Sequence, residues 1–349
     1  MPQHNVTPQR PLLAMTMGDS NGIGPEILAQ ALARPEPWQY CRPWILGDTT
    51  VMEAELRRVN AACTLLRADT PEEAGQAAEG QLPITDCGMP APARKPGNLD
   101  AAVGACVLTW IRQATQWAMD GVVDGIVTGP INKEAIHLAG SPFQGHTDFI
   151  ADMTGAPEYK MCLFTDSMRI VHITGHLSLR DALDEVKQDR IVQSIRIGYE
   201  ALQRMGLAAP KIAVAGLNPH AGEAGRFGRE EIEEIQPAVE TCQAEGIPCS
   251  GPYPPDTLFG RMRAGDFDMV IAMYHDQGHI PLKLIAMDEG VNVTLGIPIV
   301  RTSVDHGTAF DIAGKGIALE DSLCQAVRFA AQLAGLPRYA GVGAQRNGE

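Results

Sequence analysis

The sequence predicts an α/β fold of two lobes around a cleft. Short β-rich apolar runs alternate with longer stretches of helical periodicity, the pattern of strands joined by crossover helices. A hairpin pattern interrupts that alternation, and a length of 349 residues suits one large domain or two ordinary ones. Hydrophobic residues make up 45% of the chain and charged residues 20%, enough for a buried core and too apolar for general disorder.

Leu12–Met17 reads as a strand and Gly18–Gly24 as a glycine loop. Pro25 then starts a helix through Ala33, since proline is tolerated in a helix's first turn. Trp44–Leu46 and Thr64–Leu66 are strands around a helix near Val51–Val59. Residues 70–98 are rich in Pro, Gly and Glu with weak periodicity, and read as a surface excursion. Apolar residues at helical spacing make Leu99–Met119 a long helix, and Gly121–Thr128 is a buried strand ending in Gly129–Pro130. Tyr159–Thr165 and Met168–Thr174 flank Asp166–Ser167, a two-residue hairpin turn. A long amphipathic helix (Leu179–Met205), a strand (Lys211–Leu217) and an acid-faced helix (Arg229–Glu245) follow. Asp268–Met273 is a further strand, and a helix around Asp321–Leu333 closes the pattern.

Lys plus Arg number 28 against 42 Asp plus Glu, a formal charge of −14. Such a chain repels phosphate backbones and anionic lipid, so neither nucleic-acid nor membrane-surface binding is expected. No apolar run approaches the ~18–20 residues that span a bilayer, and the polar start, Met1–Arg10, is unlike a signal peptide. The cysteines at 41, 63, 87, 106, 162, 242, 249 and 324 include no C-x-x-C pair and read as reduced thiols. A cytoplasmic, soluble protein is the expectation.

Its chemistry is expected at histidines. Of the 9 in the chain, His176, His220 and His275 follow predicted strands at their C-terminal ends, the edge where open α/β sheets bind ligands. Three imidazoles converging there could hold a divalent metal with one position open. Singly, each reads more readily as a loop residue bonded to nearby backbone. In so acidic a chain the nearby cations stand out. Lys283 and Arg301, with Asn292 between them, suit an anionic substrate whose carboxylate or phosphate oxygens take charge-assisted hydrogen bonds. As isolated residues both would be ordinary surface charges. The segment from Gly18 to Pro25 lacks both the G-x-G-x-x-G pattern and the Walker lysine, so a tight strand-to-helix turn explains it as well as a nucleotide loop does. In Asp305–Gly316 (DHGTAFDIAGKG), small residues let backbone N–H groups approach a phosphate or adenosine ahead of a helix.

Four segments in this order, GHTDFIADMTG, LNPHAGEAGRFGREE, MYHDQGHIPLK and SVDHGTAFDIAGKG, resemble the 4-hydroxythreonine-4-phosphate dehydrogenase family. The matching segments run from Met15 to about Gly316. The resemblance implies an isocitrate/isopropylmalate dehydrogenase-like fold rather than a Rossmann fold. Residues 1–135 with 305–349 would form the lobe carrying the cofactor loop, and 136–304 the lobe carrying metal, substrate and dimer contacts. It also implies a homodimer with the active site at the subunit interface. By resemblance, His176, His220 and His275 are metal ligands drawn from both subunits. His146, Thr147, Lys283, Asn292 and Arg301 match substrate-contacting positions. His306, Gly307, Thr308, Ala309 and Asp311 fall in the region that holds the adenosine of NAD, with NADP as the alternative. The metal would be Zn, Mg, Mn, Co or Ni; neutral imidazole accepts Zn, Co, Mn or Ni, and abundance often decides among them.

The implied reaction oxidises the C3 hydroxyl of a small 4-phosphorylated four-carbon acid, with the metal lowering that hydroxyl's pKa and hydride passing to NAD. The resulting β-keto acid loses CO2. Lys283 is the candidate for proton transfer, with Asp256 and Asp276 beside the metal or relaying protons. Two segments depart from the family pattern: GDSNGIGPE, where many members have Pro-Ala, and Ser178, where the biosynthetic enzymes usually have proline. MTMGD and the HLSLRDAL run look closer to the paralogous branch that converts 4-phospho-D-threonate or 4-phospho-D-erythronate to dihydroxyacetone phosphate and CO2. Those substrates carry a hydroxyl in place of the amine at C2. The competing readings are a three-histidine metal hydrolase and a non-catalytic binding protein. The 305–316 loop argues against the first, and the joint presence of His146, Lys283, Asn292 and Arg301 against the second.

Overall fold

The apolar runs of the sequence become strands of one sheet in the computed structural model, which describes residues 10–78, 80–89, 91–287 and 289–335. The polar start (1–9) and the end of the expected cofactor lobe (336–349) lie outside the described residues. The strands are β1 (Leu12–Thr16), β2 (Arg42–Leu46), β3 (Thr64–Arg67), β4 (Gln81–Thr85), β5 (Gly125–Thr128) and β6 (Lys160–Phe164). The rest of the chain adds β7 (Arg169–His172), β8 (Ile212–Ala215), β9 (Cys249–Tyr253), β10 (Met269–Ala272), β11 (Val291–Leu295) and β12 (Arg301–Val304). Their spatial order is β3-β4-β2-β1-β5-β12-β11-β6-β7-β10-β8-β9.

Neighbours are parallel from β3 to β12 and again from β7 to β9. Between these arrays, β12/β11, β11/β6 and β6/β7 are antiparallel. An odd number of reversals leaves the two arrays pointing in opposite directions, so their C-terminal edges lie at opposite ends of the sheet. Strands such as β5, β8 and β10 are buried throughout, as expected where helices cover both faces. The helices Ala101–Met119 and Asp321–Leu333 pack on the first array, and Gln188–Arg204 on the second. Trp44 stacks on Trp117 with ring centroids 4.1 Å apart, and Phe164 meets Phe329 edge-on at 5.6 Å. Among the described residues no helix is long and apolar enough to cross a membrane.

Most of the expected elements form, including the hairpin, where Thr165 N donates to Met168 O at 2.7 Å across Asp166–Ser167. Three expectations need correction. The excursion at 70–98 contains a short helix, Pro71–Gly75, and β4, which lies between β3 and β2. With five residues and an internal Pro83, β4 is too short for its periodicity to show. The single helix expected over Leu179–Met205 is two, Leu179–Asp184 and Gln188–Arg204. Glu234, 46 positions away, caps the second by accepting from Gln188 N at 2.9 Å, a long-range contact that local pattern does not reveal. The strand expected from Gly121 begins at Gly125, because Gly121 adopts a left-handed φ of 70°.

Candidate active site

Arg301 opens β12, and its register partner Thr294 on β11 is in turn opposite Met161 on β6. Directly opposed residues point to the same face, so the guanidinium emerges beside them. It is 2% exposed. Nη1 donates to Thr294 Oγ1 (2.9 Å) and Thr147 Oγ1 (3.4 Å), and Nη2 to Thr128 Oγ1 (2.8 Å). Every one of these partners is a neutral hydroxyl. Its Nε is buried without a hydrogen-bond partner among the described residues, and burial alone pulls the guanidinium down to about 10. A buried cation without a counter-charge is costly, and an arriving anion would remove that cost.

The cavity that Arg301 faces has a volume of ≈ 290 Å³ and includes His146, Asn292, Lys133 and Asp305 in its walls. His146 begins the nine-residue helix His146–Thr154, whose N-cap Gly145 supplies no side-chain cap. The helix's first N–H groups therefore suit an anion. Burial first, then the Arg301 charge, holds His146 well below the usual imidazole range, so the ring is neutral. His146 Nε2 and Asn292 Oδ1 are both buried with no hydrogen-bond partner among the described residues. Lys283 Nζ pairs with Asp305 Oδ2 at 2.9 Å at the edge of this cleft.

His176, His275 and His220 follow β7, β10 and β8, three adjacent parallel strands. The rings of His176 and His275 are 5.5 Å apart, and His275 Nδ1 is held by Asp276 Oδ1 at 2.7 Å, leaving Nε2 for another partner. Burial, followed by the Lys133 charge, lowers the pKa of His176 and favours its neutral form. His279 stacks on His275 with centroids 3.5 Å apart and touches buried His172 at 4.7 Å. Burial lowers His279 to about 4 and His172 to about 3, so neutral rings back His275. His220 stands apart, its ring facing Phe227 at 6.5 Å. Among the described residues of one chain, no three His, Cys, Asp or Glu side chains are close enough to hold a metal.

The family model for the pyridoxal phosphate biosynthetic protein PdxA matches residues 39–330. The chain belongs to the PdxA family. A D-threonate 4-phosphate dehydrogenase of Cupriavidus necator is 46% identical over 325 residues, covering 93% of this chain and 97% of that protein. A 4-hydroxythreonine-4-phosphate dehydrogenase of Desulforapulum autotrophicum is 44% identical over 328 residues, covering 93% and 96%. The crystal structure of a 4-hydroxythreonine-4-phosphate dehydrogenase from Burkholderia phymatum superposes with a TM-score of 0.83 at 40% identity, covering 93% of this chain and 98% of that one. The fold is thus the mixed α/β, mostly parallel sheet of PdxA structures.

Within this PdxA chain the sequence-predicted residues separate into groups. His146, Thr147, Asn292, Arg301 and His176 line one cleft, with His306 and Gly307 at its rim. Asp276 touches His275 and is itself exposed, and its carboxyl is held below the usual range by that hydrogen bond. Asp256 is exposed in the first turn of the helix Pro255–Arg263, which packs on the His220 segment. The 305–316 loop does not run directly into a helix, which starts only at Asp321. The N–H groups of Gly314 and Gly316 are both taken by the Glu26 carboxylate, so they are not free for a phosphate. His306, Gly307 and Asp311 remain exposed, Thr308 and Ala309 are half-buried, and a Cβ on Gly307 would meet nothing within 4 Å.

Sequence reading missed Lys133, Thr128 and Thr294. Lys133 follows Gly129–Pro130 beyond the C-terminal end of β5, the same kind of position that singled out the histidines. Thr128 and Thr294 carry no local signal, because only sheet pairing brings them to Arg301.

Proposed function

We propose that this PdxA protein is an NAD-dependent, divalent-metal-assisted dehydrogenase that oxidises and decarboxylates a 4-phosphorylated four-carbon 3-hydroxy acid. The buried Arg301, surrounded by hydroxyls and lacking a carboxylate, is the observation that carries this reading. It calls for an anion, and the dehydrogenases named above act on phosphorylated substrates. Arg301, Thr147, Asn292 and neutral His146 would hold the phosphate, with Lys133 adding charge at the mouth.

His176 and His275 would be joined by His220 across a subunit interface to complete the metal site. Their chemistry fits, since metal binding needs neutral imidazoles and Asp276 orients His275. When bound, the metal supplies Lewis-acid polarisation of the C3 hydroxyl, and NAD accepts the hydride. Lys283 would relay the hydroxyl proton, accepting it once its own proton has passed to the paired Asp305 carboxylate. The cofactor's adenosine would lie along His306–Ala309, where exposed Asp311 suits ribose hydroxyls and repels a 2′-phosphate, favouring NAD over NADP.

A homodimer follows from the same arrangement. The helix His275–Ala286, which starts at His275, exposes Ile280 and Leu284, the latter 85% accessible. Leu177 and Leu179 are likewise exposed beside His176. An apolar face flanking half a metal site suits a second copy of this chain. The isocitrate dehydrogenase-like division into lobes, 1–135 with 305–349 and 136–304, is part of this proposal; among the described residues its seam in the sheet would fall between β5 and β12.

The two departures in the sequence do not report on C2. Ser178 Oγ caps the helix Leu179–Asp184 by accepting from Asp181 N at 3.2 Å. Asn21 bonds Lys95 N (2.6 Å) and Asn98 O (2.9 Å), away from the cleft. The threonate reading therefore rests on the relatives. NADH formation with 4-hydroxythreonine 4-phosphate and the isomers of 4-phosphothreonate and 4-phosphoerythronate, before and after chelation, tests the proposal. Turnover of one of them, lost on chelation and restored by a divalent ion, is expected. No turnover of any, or full turnover after chelation, would overturn it.

A further inference from the structure

The loop carrying His220 is wound against its own sequence. His220, Ala221, Gly222, Glu223, Ala224 and Gly225 have φ values of 54°, 54°, 76°, 41°, 56° and 90°, an unbroken left-handed run in which four residues carry a Cβ. L-residues, alanine above all, prefer the right-handed turn, so a run of this kind persists only where its surroundings impose it. Glu231, 4% exposed, is the side chain placed to do so. Its Oε1 accepts from Leu217 N (2.8 Å) and Asn218 N (2.7 Å), and its Oε2 from Asn218 Nδ2 (2.9 Å). The neighbouring Glu230 Oε2 accepts from Asn218 Nδ2 at 2.7 Å. A Cβ on Gly222 would lie 2.6 Å from Glu231 Oε2, so the carboxylate fills the inside of the turn and glycine leaves it room.

We propose that Glu231 is a positioning residue that imposes the left-handed turn and thereby presents the His220 imidazole to the divalent metal. This rests on the metal reading above. The carboxylate acts through the backbone at 217–218, fixing the direction in which the chain enters the turn. A turn of the opposite hand would project the His220 side chain to the other side of the loop. Both side-chain oxygens must be acceptors, because together they take three N–H donors at once. A glutamine would bring its own NH2 against the amide of Asn218 or against the backbone donors.

The test is a Co2+ titration of the metal-stripped dimer, followed by visible absorption and paired with thermal unfolding. Wild type, E231Q, G222A and H220A are compared. E231Q is expected to stay folded and to bind Co2+ about 10- to 100-fold more weakly, as is usual when a group behind a metal-binding histidine is changed. H220A should lose at least as much. If E231Q does not fold, G222A carries the test, since its new methyl displaces the Glu231 carboxylate without altering charge, and the same weakening is expected. Wild-type Co2+ affinity and spectrum in E231Q, or in G222A where that variant is used, alongside loss in H220A, would overturn the positioning role and leave the metal reading intact. Wild-type binding in H220A would remove the metal reading and the proposal with it.

Discussion

Arg94 is half-buried and Arg301 fully buried, and they differ in what surrounds the guanidinium. Arg94 donates to Ser20 O at 2.7 Å and Gly22 O at 3.3 Å, and pairs with Glu26 at 3.0 Å and with Glu55. Glu26, fully buried, also accepts the N–H groups of Gly314 and Gly316, so this knot ties the glycine loop to the 305–316 loop. Arg301 meets three threonine hydroxyls from β5, β11 and the helix His146–Thr154. Where carboxylates close around a guanidinium, its charge is spent on structure. Where only hydroxyls do, the charge is left for a ligand.

That contrast should be plainest in paired truncations. Arg94→Ala leaves fully buried Glu26 without a cation, while Glu55 keeps Arg58 (2.6 Å), and should cost about 3–5 kcal/mol of stability, read by thermal or denaturant unfolding. Arg301→Ala removes an uncompensated charge, and should leave the melting temperature unchanged or raised. The same variant should lower kcat/KM by about two orders of magnitude or more, from ~3 kcal/mol of lost transition-state stabilisation. If both variants unfold alike, the two arginines do the same job and the contrast fails.

A smaller effect concerns His146, the neutral neighbour of Arg301. Its folded-state pKa lies well below the unfolded value because burial and the Arg301 charge oppose protonation. Between those values the unfolded chain binds the extra proton, so stability is fully present above about pH 6.5 and falls as the pH drops toward the folded-state value. Melting temperatures measured across that window should decline on acidification, and more shallowly in His146→Gln. An equal slope in the variant would show that His146 is not held neutral by its surroundings.

The sequence made different parts of this molecule visible to different degrees. His176, His220 and His275 stood out because each follows a short apolar strand; that those strands, β7, β8 and β10, are adjacent and parallel is seen only in the sheet. Arg301 stood out because cations are scarce. Of the hydroxyl lining that gives Arg301 its character, Thr147 was visible through the family motif, while Thr128 and Thr294 were hidden, since only sheet pairing brings β5 and β11 to it. So was the left-handed turn at His220, because an alanine-containing segment reads as right-handed until Glu231 is seen inside it. β4 was hidden by its brevity, and the break at Glu185–Lys187 by its dependence on Glu234.

If the Arg301 cleft receives a phosphate, the terminal phosphate is a handle whose binding energy also positions the reacting carbon, so removing it should lower kcat as well as affinity. The most direct measurement is kcat/KM for the phosphorylated four-carbon acid that the enzyme turns over and for its unphosphorylated counterpart, followed as NADH formation on wild type and R301A. The wild-type ratio should be about 100-fold or greater, and should shrink by at least about tenfold in R301A, roughly 1.4 kcal/mol per decade. Comparable kcat/KM for the two substrates on the wild type would contradict a phosphate role for the cleft.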